Sequence, residues 1–186
     1  MIWKKWIVNR LLILILILLT PLISREIYYT RSGKVSFFSS TPLEDIQAFN
    51  EQMTCVFDYH SGEVSFQIPI LGFNFKNGLM QEHFNENYME THLFPNAIFK
   101  GRIKNWSNLN INRQSNSVTI NGTMTIHGIS KEISEIGSIF KQDNKIIGNA
   151  NFDIIVSDYG IEIPKIVREN IAKEVDVKIE VILNRK

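Results

Sequence analysis

Four histidines, His60, His83, His92 and His127, are the side chains in this 186-residue sequence best suited to metal or acid–base chemistry. His83, Glu86 and Glu90 are spaced to share one side of a helix, and His92 follows closely. The donors would suit a metal-assisted enzyme using His83, Glu86 and His92. However, there is no His-x-x-x-His pair, and further ligands would have to come from other strands. A solvated helix face explains the same spacing, so the expectation is no metal. Nucleophilic catalysis is less well served. No Gly-x-Ser-x-Gly elbow is present, Asp58 and His60 are only sequence neighbours, and the one cysteine, Cys55, sits in the strand-like run Met53–Phe57. Phosphate-cradling glycine loops are absent. A formal net charge of +1, with Arg102, Lys104 and Arg113 scattered, marks no nucleic-acid partner. Asn105-Trp106-Ser107 and Asn121-Gly122-Thr123 match the glycosylation sequon, a short pattern that recurs by chance. The expectation from the residues is therefore a protein that is not an enzyme and carries no cofactor.

What remains is apolar, and the elements that must position it read as strands. Val175, Val177, Ile179 and Val181 alternate with Glu174, Asp176, Lys178 and Glu180, the pattern of a strand with one buried and one wet face. The same period of two runs through Val64–Ile70, Val118–Ile126 and Phe152–Val156, with further strands around Val35-Phe37 and Phe99–Ile103. His60-Ser61-Gly62-Glu63 and Asp143-Asn144-Lys145 read as hairpin turns, and the polar Asn108–Asn116 as an exposed hairpin loop. Roughly eight strands follow from these signals, in the range of sandwiches and up-and-down barrels. Two segments break the alternation. Thr41-Pro42-Leu43-Glu44 has the residues of a capping box, predicting a short helix with Leu43, Ile46 and Phe49 on one face. Leu79–Glu90 predicts a second helix, on which Met80, Phe84 and Tyr88 share a face.

The first 24 residues read differently. Lys4, Lys5 and Arg10 precede an apolar run, Leu11–Leu19, that Thr20-Pro21 ends, which is the pattern of a secretory signal peptide. The run is short for a membrane span, but Leu22-Ile23-Ser24 is a poor cleavage site, which keeps an uncleaved N-terminal anchor as the alternative. The expected organisation is a signal at 1–24 and one domain at 26–184, in a periplasmic or secreted protein. Without residues 1–24 the chain has seventeen basic against nineteen acidic side chains, a mildly acidic balance. Cys55 would then be a lone thiol in an oxidising compartment, read as a small buried residue.

Three segments carry a family resemblance. Ile120–Glu132, which contains Thr125-Ile126-His127-Gly128-Ile129-Ser130-Lys131, resembles the signature of the YceI-like, polyisoprenoid-binding family. Ser157-Asp158-Tyr159-Gly160-Ile161 resembles its Asp-Phe-Gly-Ile segment, followed here as there by a last strand. Met80–Tyr88, leading to Pro95 and Phe99-Lys100-Gly101, resembles its His-containing segment. Gln81-Glu82 replaces that segment's usual Arg-Asp pair, so the likeness is to a divergent exported branch. The resemblance implies an all-β fold with short helices, an extended antiparallel up-and-down β-barrel of lipocalin-like form wrapping an isoprenoid or quinone tail. Its apolar long-chain lipid would lie against Phe37, Phe57, Phe66, Phe99, Met124, Ile126, Phe152 and Ile154, with Phe84 and Tyr88 near a barrel opening. His127 and Asp158 are assigned structural roles. The rival reading is a scaffold or stress-related interaction protein whose barrel is filled. Membrane contact would come only through a retained signal, and homodimerisation is left open.

Overall fold

Period-two alternation builds the wall. The computed structural model describes residues 25–186, so the expected signal at 1–24 lies outside the described residues. Its strands are β1 (Ile27–Ser40), β2 (Asp45–Asp58), β3 (Glu63–Pro69), β4 (Asn74–Phe75), β5 (Asn96–Ile103), β6 (Asn116–Ile126), β7 (Ile129–Gln142), β8 (Lys145–Ile155) and β9 (Glu174–Arg185), with one α-helix, α1 (Gly78–His83). All strand pairs are antiparallel, in the order β1-β9-β8-β7-β6-β5-β3-β2, and a β1–β2 pairing closes the ring. The expected up-and-down barrel of eight long strands is therefore present. The two-residue β4 is an addition, laid against Ala48 and Phe49 of β2. On β9, Val177, Ile179 and Leu183 are buried while Lys178 and Glu180 face water, the alternation that its sequence requires.

The turns follow local chemistry. Asp58 Oδ1 accepts the backbone N–H groups of His60 (2.9 Å) and Ser61 (3.2 Å), which shapes the β2–β3 hairpin. The β6–β7 hairpin is joined by His127-Gly128 alone, with φ of 50° and 74°. Two positive φ values are what a type I′ turn requires. A Cβ on Gly128 would also strike the Phe94 ring.

Two sequence expectations need correction. Residues 41–49 do not form a helix. Thr41 Oγ1 accepts the N–H groups of Leu43 (3.3 Å) and Glu44 (3.1 Å), but the chain then reverses and enters β2 at Asp45. The capping residues make a hairpin loop, because β2 pairs with β1 along most of its length and that pairing outweighs a local helix signal. Ile46 and Ala48 consequently face inward while Leu43 and Phe49 are exposed. The Asn108–Asn116 loop is not wholly exposed: Ile111 is buried, and Leu109 and Asn116 are half-buried, Leu109 against the packed end of the barrel.

The two ends of the barrel differ. At the end holding the β2–β3 and β7–β8 turns, Tyr28, Cys55, Phe57, Ile103, Trp106, Ile111, Val118, Ile139, Ile146 and Leu183 pack into a plug. Trp106 is its keystone: its indole Nε1 donates to the Tyr59 carbonyl (2.7 Å), and its ring meets Phe57 (4.9 Å) and Tyr59 (5.3 Å) edge-on. At the opposite end lie the β1–β2 loop, α1 and the β8–β9 connection.

The ring is also incompletely stitched towards that second end. β7 and β8 pair only from Gly137–Gln142 to Lys145–Ala150, so Ile129–Ile136 and Asn151–Ile155 face one another without ladder hydrogen bonds. The short turn Val156–Tyr159 is tucked beside this seam. The Tyr159 carbonyl lies 3.3 Å from His127 Nδ1, and a Cβ on Gly160 would touch the Ile129 side chain. Glu135, half-buried on β7, is raised above the ordinary glutamate range by burial first and by the Asp153 charge second. The folded protein therefore holds this proton to higher pH than the unfolded chain does. Stability falls as pH rises through that window, and the whole cost is present above it. Glu135→Gln is expected to raise the thermal midpoint at pH 7 and to leave it unchanged near pH 3, where glutamate is about fully protonated in both states. An unchanged or lower midpoint at pH 7 would contradict this account.

Candidate functional site: an apolar cavity

Inward side chains do not fill the barrel. An outer cavity of about 270 Å³ opens near α1, and an inner one of about 90 Å³ lies towards the plug. Met124, Phe152 and Ile179 line both, so they form the partition between them. On β9 the inward residues Val175, Val177 and Ile179 line the outer cavity, and Ile179, Val181 and Leu183 the inner one. At the rise of a strand this path is about 26 Å long. The filled barrel of the rival reading is not what the interior shows.

All ten sequence-predicted lining residues reach these cavities. Phe37, Phe84, Tyr88, Met124, Ile126, Phe152 and Ile154 line the outer one, and Phe57, Phe66 and Phe99 the inner one. Phe66 and Phe99 stack at 5.0 Å across β3 and β5. Phe37 stacks on Phe84 at 5.6 Å and meets Phe73 and Phe75 at 5.4 and 5.7 Å, an aromatic cluster tying β1 to the helical segment. That segment begins with Asn77, whose Oδ1 accepts the N–H of Leu79 (2.9 Å). After α1 it continues as a π-helical turn, Phe84–Tyr88, in which the Met89 N–H donates to the Phe84 carbonyl (2.9 Å). Met80, Phe84 and Tyr88 share the cavity face as expected, and the wider turn brings Met89 into the wall as well.

Other lining residues escape a sequence reading. Phe73 precedes, and Phe75 ends, a two-residue strand too short to alternate. Ile161, Ile163, Val167 and Ile171, in the β8–β9 connection, also line the outer cavity. Their spacings of two, four and four follow no single period, so periodicity carries no consistent signal there. This connection is held down by polar contacts. The Asn170 amide donates to Glu44 Oε2 (3.0 Å), and the Ala172 N–H donates to Ser39 Oγ (2.9 Å).

The polar candidates separate from one another. His83 is exposed at the rim of the outer cavity, while Glu86 and His92 are exposed elsewhere. Glu90 turns to His127, its Oε2 lying 2.8 Å from the imidazole Nε2. Among the described residues no three His, Cys, Asp or Glu side chains are grouped to hold a metal ion. His127, with Phe94 against its ring and Tyr159 on its other nitrogen, joins the β5 approach, the β6–β7 turn and the β8–β9 connection. Asp158 pairs loosely with Lys131 at 3.5 Å. Cys55 lines the inner cavity, where burial pushes its thiol up to about 12. A thiol so raised presents almost no thiolate at neutral pH. The folded protein is therefore expected to resist alkylation until denatured, and labelling at the rate of a free thiol would refute this.

An eight-stranded up-and-down barrel, plugged at one end and hollow towards the other, defines the lipocalin-like class of barrels. The chain belongs to the YceI-like domain family, whose pattern matches residues 30–183. A polyisoprenoid-binding domain from Saccharophagus degradans, implicated in plant cell wall breakdown, shares the fold with a TM-score of 0.75 at 14% identity, covering 88% of this chain and 100% of that one. Burkholderia cenocepacia BcnA has a TM-score of 0.67 at 16% identity, with coverage of 81% and 95%. The YceI protein of Campylobacter jejuni has a TM-score of 0.59 at 22% identity, with coverage of 74% and 83%. No protein of curated function is detectably similar in sequence.

Proposed function

We propose that this protein is an exported, periplasmic or secreted, binding protein that holds an isoprenoid or other long-chain lipid inside its barrel and carries out no reaction on it. The observation that carries this reading is the pair of adjoining cavities, lined almost wholly by aliphatic and aromatic side chains over a long path. Burying apolar ligand surface there yields roughly 25 cal/mol per Å², which drives binding without a strong polar anchor. The polyisoprenoid-binding character of the Saccharophagus degradans domain supports an apolar chain as the ligand class. The charged n-region and apolar run before residue 25 support export.

The test is mass spectrometry of organic extracts from full-length protein purified from a native-like host, together with titration of a quinone analogue. A long-chain lipid in the extract and saturable analogue binding are expected. Repeated absence of co-purifying lipid, with no analogue binding, would overturn the reading.

A further inference from the structure

The walls of the cavities carry information about the polar end of whatever enters them. Among the described residues, the side chains lining the two cavities include no lysine and no arginine. The charged groups they do include are two carboxylates, Glu44 in the outer cavity and Glu135 in the inner one. Ser138 and Asn149 join Glu135 in the inner lining, but almost all of the polar surface that the cavities present lies in the outer one. Ser39, Glu44 and Asn170 come together where the β1–β2 loop meets the β8–β9 connection, and His83 and the Tyr88 hydroxyl belong to the same lining. The cations of the connection, Lys165, Arg168 and Lys173, are exposed and none lines the cavity.

A lipid threaded from this side keeps its polar end here, because carrying that end inward past Met124 and Phe152 would strip its water in a cavity that presents little polar surface in return. An anionic end would then meet the Glu44 carboxylate with no lysine or arginine in the lining to offset it. A hydroxyl or amine would instead find acceptors in Glu44 Oε and the Asn170 side-chain oxygen. Glu44 has capacity beyond its single bond from Asn170, since a carboxylate offers about four acceptor sites. Resting on the lipid-binding reading above, we infer that the cavity selects lipids whose polar end donates hydrogen bonds and bears no negative charge, alcohols or amines rather than phosphates or carboxylates.

The test uses three probes with one chain: a C20 prenyl alcohol, the C20 prenyl amine and the C20 prenyl monophosphate, titrated calorimetrically into the full-length protein at pH 8. The alcohol and amine are expected to bind on the order of tenfold more tightly than the monophosphate, the ratio that a like-charge contact near a protein surface imposes. Glu44→Gln is expected to narrow that ratio towards one, while Glu180→Gln, on the wet face of β9 and outside both cavities, leaves it in place. Equal affinities for all three, or tighter binding of the phosphate, would overturn the selectivity and leave lipid binding standing. A ratio unmoved by Glu44→Gln, or one moved equally by Glu180→Gln, would overturn its assignment to the mouth. Failure of every probe to bind would overturn the lipid-binding reading, and the selectivity with it.

Discussion

Trp106→Ala is expected to lower folding stability by about 3–5 kcal/mol, the usual cost of removing a buried aromatic ring from a packed core. Trp106 fills the centre of the plug, and its loss removes the edge-on contacts with Phe57 and Tyr59. It also leaves the Tyr59 carbonyl without its 2.7 Å donor. The β2–β3 turn leans on the same ring, since Gly62, at a φ of 74°, packs directly against it. At the usual scaling for a chain of this length, the thermal midpoint should fall by roughly 6–20 °C. Urea denaturation followed by circular dichroism measures the change. A loss below about 1 kcal/mol would mean that the plug does not depend on this residue.

The second large effect concerns binding. Ala97, on β5, is a small side chain in the wall of the outer cavity. Ala97→Phe places a ring where a ligand chain would run. Displacing about 100 Å² of apolar contact removes roughly 2.5 kcal/mol, which weakens binding about a hundredfold. Because the added ring fills empty space, the thermal midpoint of the ligand-free protein should hold or rise. The C20 prenyl alcohol titrated into both forms measures the effect. Unchanged affinity in a folded variant would show that the ligand lies elsewhere.

Much of this was legible in the sequence, for a reason that also explains the exceptions. Strands of an up-and-down barrel pair with their sequence neighbours, so alternation and turn residues together specify topology. Val175–Val181 and the His60-Ser61-Gly62-Glu63 turn are read correctly from a few residues each. Eight of the ten lining residues reach the cavities because inward parity in a barrel is set by the same alternation that makes the strand, while Phe84 and Tyr88 arrive on one face of the helical segment. Thr41–Glu44 misled because its local hydrogen bonds are the same in a capped helix and in a tight loop, and only the pairing of β2 with β1 decides between them. The Ile161–Ile171 wall was invisible because an irregular segment has no period to detect. Trp106 was hidden inside a sequon-like triplet, its importance arising from Tyr59 and Phe57, which lie far away in the chain.

The unstitched stretch between β7 and β8 has a mechanical consequence. In a ring closed by hydrogen bonds all the way round, strand number and stagger fix the circumference. Here only the plug half is such a hoop. The other half is a split collar, beside whose gap the His127 ring meets the Tyr159 carbonyl and the Ile129 side chain lies against Gly160. Opening a collar of this kind breaks no backbone ladder and exposes little buried polar surface. The girth of this half is thus not set by hydrogen-bond register, whereas that of the plugged half is.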